Sequence, residues 1–267
     1  MGLARRLLWG SAVWEVARPR TPLTAGHLLI RLSNPATALD RRSASDWLRC
    51  HKAAHAALTQ VLGVTHCTLM FAYQWHALGA ALGEPVAESS TPTFHLFGRW
   101  DAEPATPGAV LALPAHRRTP LGDDELLDID LALRDALRTA AAFDADLTAA
   151  VDDPDDGPLI DDNGTTALPD IVTLTPAHPA ESVHRVLTFP RPLASISDVG
   201  PAEVLALAKA LEGFAADPTV SGLSCIAPDP SITGGRLKVH VLGRSANESR
   251  NPLAALLDSP ELSRALL

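Results

Sequence analysis

Cysteine is scarce in this 267-residue chain, and its placement argues against small folds held together by disulfides or by zinc. Cys50, Cys67 and Cys225 are scattered, with no Cys-x-x-Cys pair and no His/Cys cluster at metal-ligand spacing. The sequence therefore predicts neither a disulfide framework nor a zinc site, and it fits a reducing compartment best. We expect no cofactor.

Long apolar runs are also missing. The N-terminal stretch MGLARRLLWGSAVWEVARP has two arginines before an apolar segment, but Gly10, Ser11 and Glu15 interrupt that segment. It therefore does not match an export signal. No run reaches the roughly 18 to 20 apolar residues that a bilayer span needs. We expect a cytoplasmic protein with no membrane partner.

Positive charge is in the minority, with 22 Lys and Arg residues against 31 Asp and Glu residues. The net charge is -9 and the isoelectric point is near 5.5. Sequence-independent binding to nucleic acid depends on lysine and arginine displacing counterions from phosphates, so nucleic acid is not an expected partner. A small anionic ligand in a local pocket remains open.

The chain does contain an internal repeat. Segments that begin at Pro22 and Pro179 align at a constant offset of 157 residues, which matches His27 with His184. In each copy a β-rich run is followed by a polar helix cap, predicted at Ser43 or Ser45 in the first copy and at Asp198 in the second. A later strand reads TFHLFGR or KVHVLGR and matches His95 with His240 at an offset of 145. This order of elements predicts an α+β unit that occurs twice.

A helix is predicted between the two copies. Leu126, Ile129, Leu133 and Leu137 have the three-four spacing of an amphipathic helix that begins near Asp123 or Asp124. The acidic stretch DDPDDGPLIDDNG that follows does not match the EF-hand ligand pattern and is interpreted as a solvated linker. We predict a first unit over residues 1–118, a helical and acidic connector over 119–168, and a second unit over 169–267.

These segments resemble the histidine triad superfamily of nucleotide-binding proteins, including the duplicated galactose-1-phosphate uridylyltransferases and dinucleoside tetraphosphate phosphorylases. AGHLLIRLSNPATALD is similar to the early strand and turn of that family. TPTFHLFGR and RLKVHVLGR are similar to its strand of alternating histidines before a glycine and an arginine. The resemblance implies two tandem units, each an antiparallel sheet with helices, that form an intramolecular pseudo-dimer. It also implies binding of a nucleotide or nucleotide sugar, with nucleotidyl transfer or phosphoanhydride hydrolysis as the inherited reaction.

The histidine triad itself is degenerate. In the family, the middle of three alternating histidines attacks the α-phosphate. The three matching positions hold Thr91, Thr93 and His95 in the first copy, and Arg236, Lys238 and His240 in the second. The nucleophilic histidine is therefore missing in both halves. Two alternatives stay open: an enzyme with a non-standard site, and a catalytically inactive nucleotide-binding or protein-interaction scaffold.

Candidate site residues follow from strand alternation, which puts every second side chain on one face. The catalytic candidates are His95, Lys238 and His240. The ligand-binding candidates are Trp75, Ser89, Ser90, Thr91, Thr93, Gly234, Gly235 and Arg236. Hydroxyl groups, cations and glycine N–H groups would hold phosphate oxygens, and the tryptophan would stack on a base. The expected partner is a small nucleotide or phosphate ester, and a homodimer remains open.

Each of these candidates has an ordinary structural alternative. The histidines can be hydrogen-bonded within the sheet, the cations can form an exposed strand face, and the loop around Trp75 can fold on its own aromatics. His27 and His184 lie at equivalent strand starts and are predicted to have a structural turn role. His51 and His55 lie four residues apart on a predicted helix, but no third zinc ligand is visible, so we predict solvated histidines.

Overall fold

The computed structural model describes residues 6–73, 93–101, 103–113, 117–119, 121–150, 168–176, 179, 183–229, 235–244 and 262–263. The strands of the first half are β1 (Arg6–Gly10), β2 (Trp14–Arg18), β3 (His27–Leu32), β4 (His66–Tyr73) and β5 (Thr93–Arg99). Those of the second half are β6 (Val172–Leu174), β7 (His184–Thr188), β8 (Gly222–Pro228) and β9 (Lys238–Arg244). The helices are α1 (Arg41–Leu62), α2 (Pro107–Ala112), α3 (Asp123–Ala150) and α4 (Pro201–Ala215).

All of these strands belong to one antiparallel sheet, in the order β1-β2-β3-β5-β4-β8-β9-β7-β6. The halves meet where β4 pairs with β8, with Thr68 opposite Pro228 and Tyr73 opposite Leu223. The predicted α+β fold, with two tandem units joined as an intramolecular pseudo-dimer, is confirmed by this strand order. The sheet is continuous across the two units rather than divided between them.

A pseudo-twofold axis passes between Met70 and Ile226, which lie opposite each other in the middle of the sheet. Around this axis the strand register pairs equivalent residues: His95 with Met70 and His240 with Ile226, and His27 with Phe97 and His184 with Leu242. Residues that match in the sequence at an offset of 157 or 145 therefore lie at equivalent positions in the two halves of the sheet.

The long helices cover one face of the sheet. On that face α1 packs against both α3 and α4, over the main hydrophobic core. On the opposite face a smaller cluster contains Met70, Phe97, Ile226 and Leu242, together with Leu111 of α2. Among the described helices, none is apolar over a length sufficient for a bilayer span.

The predicted connector helix is α3, and it begins at Asp123 as expected. Its apolar stripe is buried, because Leu126, Leu133 and Leu137 are at most 1% exposed. α3 contacts α1 and β1, so it packs on the first half of the sheet.

The starts of the two core helices differ from the prediction. α1 begins after Asp40, whose carboxylate accepts a 2.7 Å hydrogen bond from the backbone N–H of Ser43. The Ser43 hydroxyl accepts in return from the Asp40 N–H, so Ser43 completes a capping box and neither it nor Ser45 is the cap. α4 begins after Gly200, and Asp198 lies in a short 3-10 turn before that residue.

Glycine ends the repeated strand phrase because neighbouring groups approach closely there. A Cβ atom on Gly98 would lie 2.8 Å from Cγ2 of Val64, and one on Gly243 would lie 2.8 Å from Cβ of Val183. The two glycine N–H groups also donate equivalent hydrogen bonds, to the carbonyls of Gly26 (2.9 Å) and Val183 (2.8 Å). Packing thus accounts for the glycine of both phrases.

Candidate functional site

Each half of the sheet holds a buried pair of histidines on the face opposite the long helices. Nε2 of His27 lies 3.1 Å from Nδ1 of His95, and Nε2 of His184 lies 3.1 Å from Nδ1 of His240. All four side chains are at most 2% exposed. The pairs form because β3 lies beside β5, and β7 beside β9, in the same register.

Hydrogen bonds define the tautomers of the first pair. The backbone N–H of Leu23 donates to Nδ1 of His27 over 3.3 Å, so the proton of neutral His27 is on Nε2. That N–H donates to Nδ1 of His95, and the proton of His95 is therefore on its own Nε2. His95 consequently has an N–H, and not a lone pair, on the ring nitrogen that does not contact His27.

Burial keeps the imidazoles of His27, His95 and His240 neutral near pH 7. Desolvation lowers the pKa of His95 to about 3. Desolvation, with added repulsion from His184 and Lys238, lowers the pKa of His240 to about 3. The pKa of His27 is also held well below its ordinary value, chiefly by burial. A neutral ring of such low basicity, protonated on Nε2, is a hydrogen-bond donor and a poor nucleophile or general base.

Thr93 and Lys238 occupy equivalent positions at the starts of β5 and β9, and both are half-buried. Each is two residues before the buried histidine of its strand, so it shares that histidine's face of the sheet. Thr93 lies opposite Arg31, and Lys238 lies opposite Thr188. The predicted alternation is therefore present within both strands.

Gly235 and Arg236 are exposed and lie in the bend just before β9. Within the described ranges, neither Arg236 nor Lys238 forms a salt bridge. Arg236 and Lys238 thus place two cations, two residues apart, at the start of β9 in the second half. The remaining predicted ligand contacts, Trp75, Ser89, Ser90, Thr91 and Gly234, lie outside the described residues, and their roles stay predictions.

The candidate residues that the structure describes divide into two groups and do not form one cluster. In the central row of the sheet, Met70 and Ile226 separate His95 from His240. Three strand spacings correspond to about 14 Å. A single phosphate group cannot contact both histidines, so each half has its own candidate site.

Sequence interpretation missed the partners of the catalytic candidates. His27 and His184 were assigned a turn role, and His27 does donate its backbone N–H to the Thr24 carbonyl over 3.1 Å. Their rings also form the hydrogen bonds that orient His95 and His240. The sequence did contain a signal for these pairs, because each copy has two histidines at equivalent positions rather than one.

The prediction of a solvated His51 is wrong. Its side chain is 2% exposed and stacks on Trp47 with 5.6 Å between ring centroids. Burial, with smaller effects of His55 and Lys52, lowers the pKa of His51 to about 3. No group of three potential metal ligands occurs among the residues that the structure describes.

An apolar cavity of about 90 Å³ lies on the opposite face of the sheet, beneath the helices where the two halves meet. The described residues of its lining are all apolar or aromatic and come from both halves. Of the candidate site residues that the structure describes, none lines it. The cavity and the candidate residues His95, Lys238 and His240 are therefore on opposite faces of the sheet.

No family model matches the sequence, and no curated protein matches it. Several solved structures do. An ADP-glucose phosphorylase from Arabidopsis thaliana with bound ADP-glucose has a TM-score of 0.46 at 10% identity, over 88% of this chain and 73% of that chain. Yeast Ap4A phosphorylase in complex with AMP has a TM-score of 0.38 at 13% identity, over 91% and 60%.

A hypothetical histidine triad nucleotide-binding protein from Sulfolobus tokodaii is also similar, with a TM-score of 0.37 at 11% identity, over 51% of this chain and 86% of that chain. The solved structures similar to this chain thus include a histidine triad protein and a dinucleoside tetraphosphate phosphorylase, two kinds of protein that its sequence resembles. Because these scores are below 0.5, the fold is established from the strand order and register of this chain alone.

Proposed function

We propose that this chain is a tandem histidine-triad-like protein that binds a nucleotide or nucleotide sugar through its phosphate, on the polar face of the second half. The observation that carries this proposal is Lys238, a half-buried cation on the same face as the buried ring of His240. Arg236 lies two residues before it, in an exposed bend that includes Gly235. Phosphate oxygens are well matched to a lysine and an arginine close together, because both donate charge-assisted hydrogen bonds.

The charge distribution supports a local anion site. The chain carries a net charge of -9, so its overall field repels anions. A phosphate ligand must therefore be held by a few nearby cations, and Arg236 and Lys238 supply two. Among described residues, no carboxylate neutralises either of them.

We propose binding without nucleotidyl transfer through a histidine. Thr93 and Lys238 occupy the positions at which the histidine triad superfamily, which the sequence resembles, has its nucleophilic histidine. His95 and His240 have a pKa of about 3 and are hydrogen-bonded to other histidines within the sheet. These features favour hydrogen-bond donation to a bound ligand over attack on phosphorus.

Three compounds test this proposal: AMP, ADP-glucose and Ap4A, which are the ligands named for the similar structures. We expect at least one of them to bind saturably by calorimetry and to raise Tm in proportion to its affinity. Lys238→Ala should weaken that binding about tenfold, because one charge-assisted contact to phosphate is lost. Lys209→Ala is the matched control, since Lys209 is exposed on α4 over the other face.

Two results would overturn the proposal. One is the absence of binding by all three compounds, and the other is an equal loss of affinity in Lys238→Ala and Lys209→Ala. Product analysis by chromatography tests the non-catalytic part separately. Turnover that disappears in His95→Ala or Lys238→Ala would show that the chain is an enzyme.

The division into units at 1–118, 119–168 and 169–267 stays a proposal, as do the homodimer and the cytoplasmic location. The packing of α3 on α1 and β1 supports an association of the connector helix with the first unit. Sedimentation at several protein concentrations would test the homodimer.

A further inference from the structure

The two halves differ in side-chain size along the helix-covered face of the sheet. Three aromatic residues of the first half have smaller equivalents in the second: Phe71 and Ala227, Phe94 and Val239, and Trp47 and Val204. In these three pairs the ring belongs to the first half, whereas Phe189 of the second half, which also lines the cavity, is equivalent to Leu32. Because the backbone is pseudo-symmetric, the second half leaves unfilled the space that these three rings occupy in the first.

That missing volume coincides with the apolar cavity. All six side chains of these three pairs line it. Its aromatic wall is a connected cluster, in which the ring of Phe94 lies 5.0 Å from that of Trp47 and 5.1 Å from that of Phe71. Leu39 also lines the cavity and is 47% exposed, which marks the point where it meets solvent.

We infer that this cavity is a binding site for a small neutral apolar molecule, about the size of a benzene ring. Apolar cavities of roughly this size stay dry and accept such molecules, because water finds no hydrogen-bond partners in them. The walls have almost no polar atoms, so a phosphate, a sugar or an ionised group would lose its hydration without compensation. A ring entering past Leu39 would pack against the rings of Trp47, Phe71 and Phe94 in the tilted geometries that aromatic pairs prefer.

The site is separate from the proposed phosphate site. Lys238 and Val239 are adjacent in β9, and adjacent strand residues point to opposite faces of a sheet. Lys238 therefore faces the polar side, whereas Val239 lines the cavity. An apolar molecule and a phosphate ligand would occupy opposite sides of the same strand and bind at the same time.

Benzene and indole are suitable probes: thermal shift measures both, and tryptophan fluorescence measures benzene, because free indole emits in the same range as tryptophan. We expect a saturable rise in Tm with at least one of them, because the ligand binds only the folded state. We also expect the tryptophan emission to change, because Trp14 and Trp47 line the cavity. AMP should not compete with either probe, and this result does not depend on whether AMP binds.

Cavity-filling variants provide the decisive comparison. Ala208→Leu adds a side chain inside the cavity from α4, and Ala227→Val does so from β8. Each should weaken probe binding about tenfold or more while leaving the fold intact. Ala202→Leu is the matched control, because Ala202 lies on the same helix but does not line the cavity.

The inference is overturned by the absence of saturable binding of both probes to the unmodified chain. It is also overturned by binding that survives both filling variants, or that Ala202→Leu weakens equally. Displacement of a bound probe by AMP would likewise contradict it, because the cavity would then belong to the nucleotide site. If one filling variant fails to fold, the other decides the question.

Discussion

Nε2 of His27 lies 3.1 Å from Nδ1 of His95, and this contact sets the tautomer of His95. The neighbouring ring accepts from a backbone N–H and donates to His95, and this leaves a neutral donor where the sequence allowed an acid or a base. The same contact recurs between His184 and His240. At the residue scale, the polar face is therefore defined by pairs of histidines, and their burial favours hydrogen bonding over proton transfer.

Buried histidines also make stability depend on pH. His51, His95 and His240 have a pKa of about 3 in the folded chain, below the unfolded value of about 6.5. As pH falls, the unfolded state takes up protons first, so the stability contributed by each neutral ring is complete above about pH 6.5 and is lost towards pH 3. We expect the free energy of unfolding to fall by about 2 kcal/mol for each of these rings between about pH 7 and about pH 5.

The variant His51→Leu tests this expectation, because neither ring nitrogen of His51 has a hydrogen-bond partner among the described residues. Urea unfolding followed at several pH values should show a loss about 2 kcal/mol smaller than in the unmodified chain. An unchanged pH dependence in His51→Leu would show that this ring does not stay neutral in the folded chain.

A buried ion pair joins α3 to the sheet. α3 is held to the sheet by Arg18, whose Nε and Nη2 donate to Oδ1 of Asp130 over 3.0 and 2.8 Å. The same guanidinium donates to the carbonyls of Ala25 and His27, and the side chains of Arg18 and Asp130 are 0% and 4% exposed. Arg18 thus connects the connector helix with the turn that precedes the first histidine pair.

Loss of this ion pair is expected to be costly. Asp130→Ala leaves the Arg18 charge buried without that carboxylate, so we expect a loss of about 3–5 kcal/mol in the free energy of unfolding. Chemical unfolding measures the effect. Asp135→Ala on the same helix is the control, because the Asp135 side chain is 74% exposed and its ion pair with Arg138 should contribute under about 1 kcal/mol. Similar losses in both variants would contradict the role assigned to Asp130.

The whole molecule is organised by the β4–β8 pair, which joins the two halves into one sheet. α1 and α4 also pack together across the same junction. Because β pairing and helix packing both cross the junction, we expect the two halves to unfold together in one transition rather than one after the other.

The tryptophans make this prediction measurable. All five lie within the first hundred residues: Trp9, Trp14, Trp47, Trp75 and Trp100. Leu242 is fully buried in β9 of the second half, and Leu242→Ala should cost about 2–5 kcal/mol. We expect the urea midpoint to fall equally by tryptophan fluorescence and by far-UV circular dichroism.

Leu131→Ala is the control for that experiment, because Leu131 is 50% exposed and its truncation should change the midpoint little. A fluorescence transition that Leu242→Ala does not move would show that the first half unfolds independently of the second.

Local patterns were predictable from the sequence alone. The repeat, the order of strands and helices, the apolar stripe of α3 and the alternation within β5 and β9 all depend on residues close together in the chain. By the same alternation, the sequence placed His95, His240 and Lys238 on the candidate-site face of their strands. It misjudged the starts of α1 and α4, because several polar residues near each start are able to cap a helix.

Contacts between residues far apart in the chain required the three-dimensional fold. The partners of His95 and His240 lie on strands 68 and 56 residues away, and a ring's protonation state depends on that contact and on burial. The burial of His51 and the apolar cavity likewise arise from packing between α1, α4 and the sheet. Sequence periodicity specifies the face on which a side chain lies, but strand order and side-chain volume decide what covers that face.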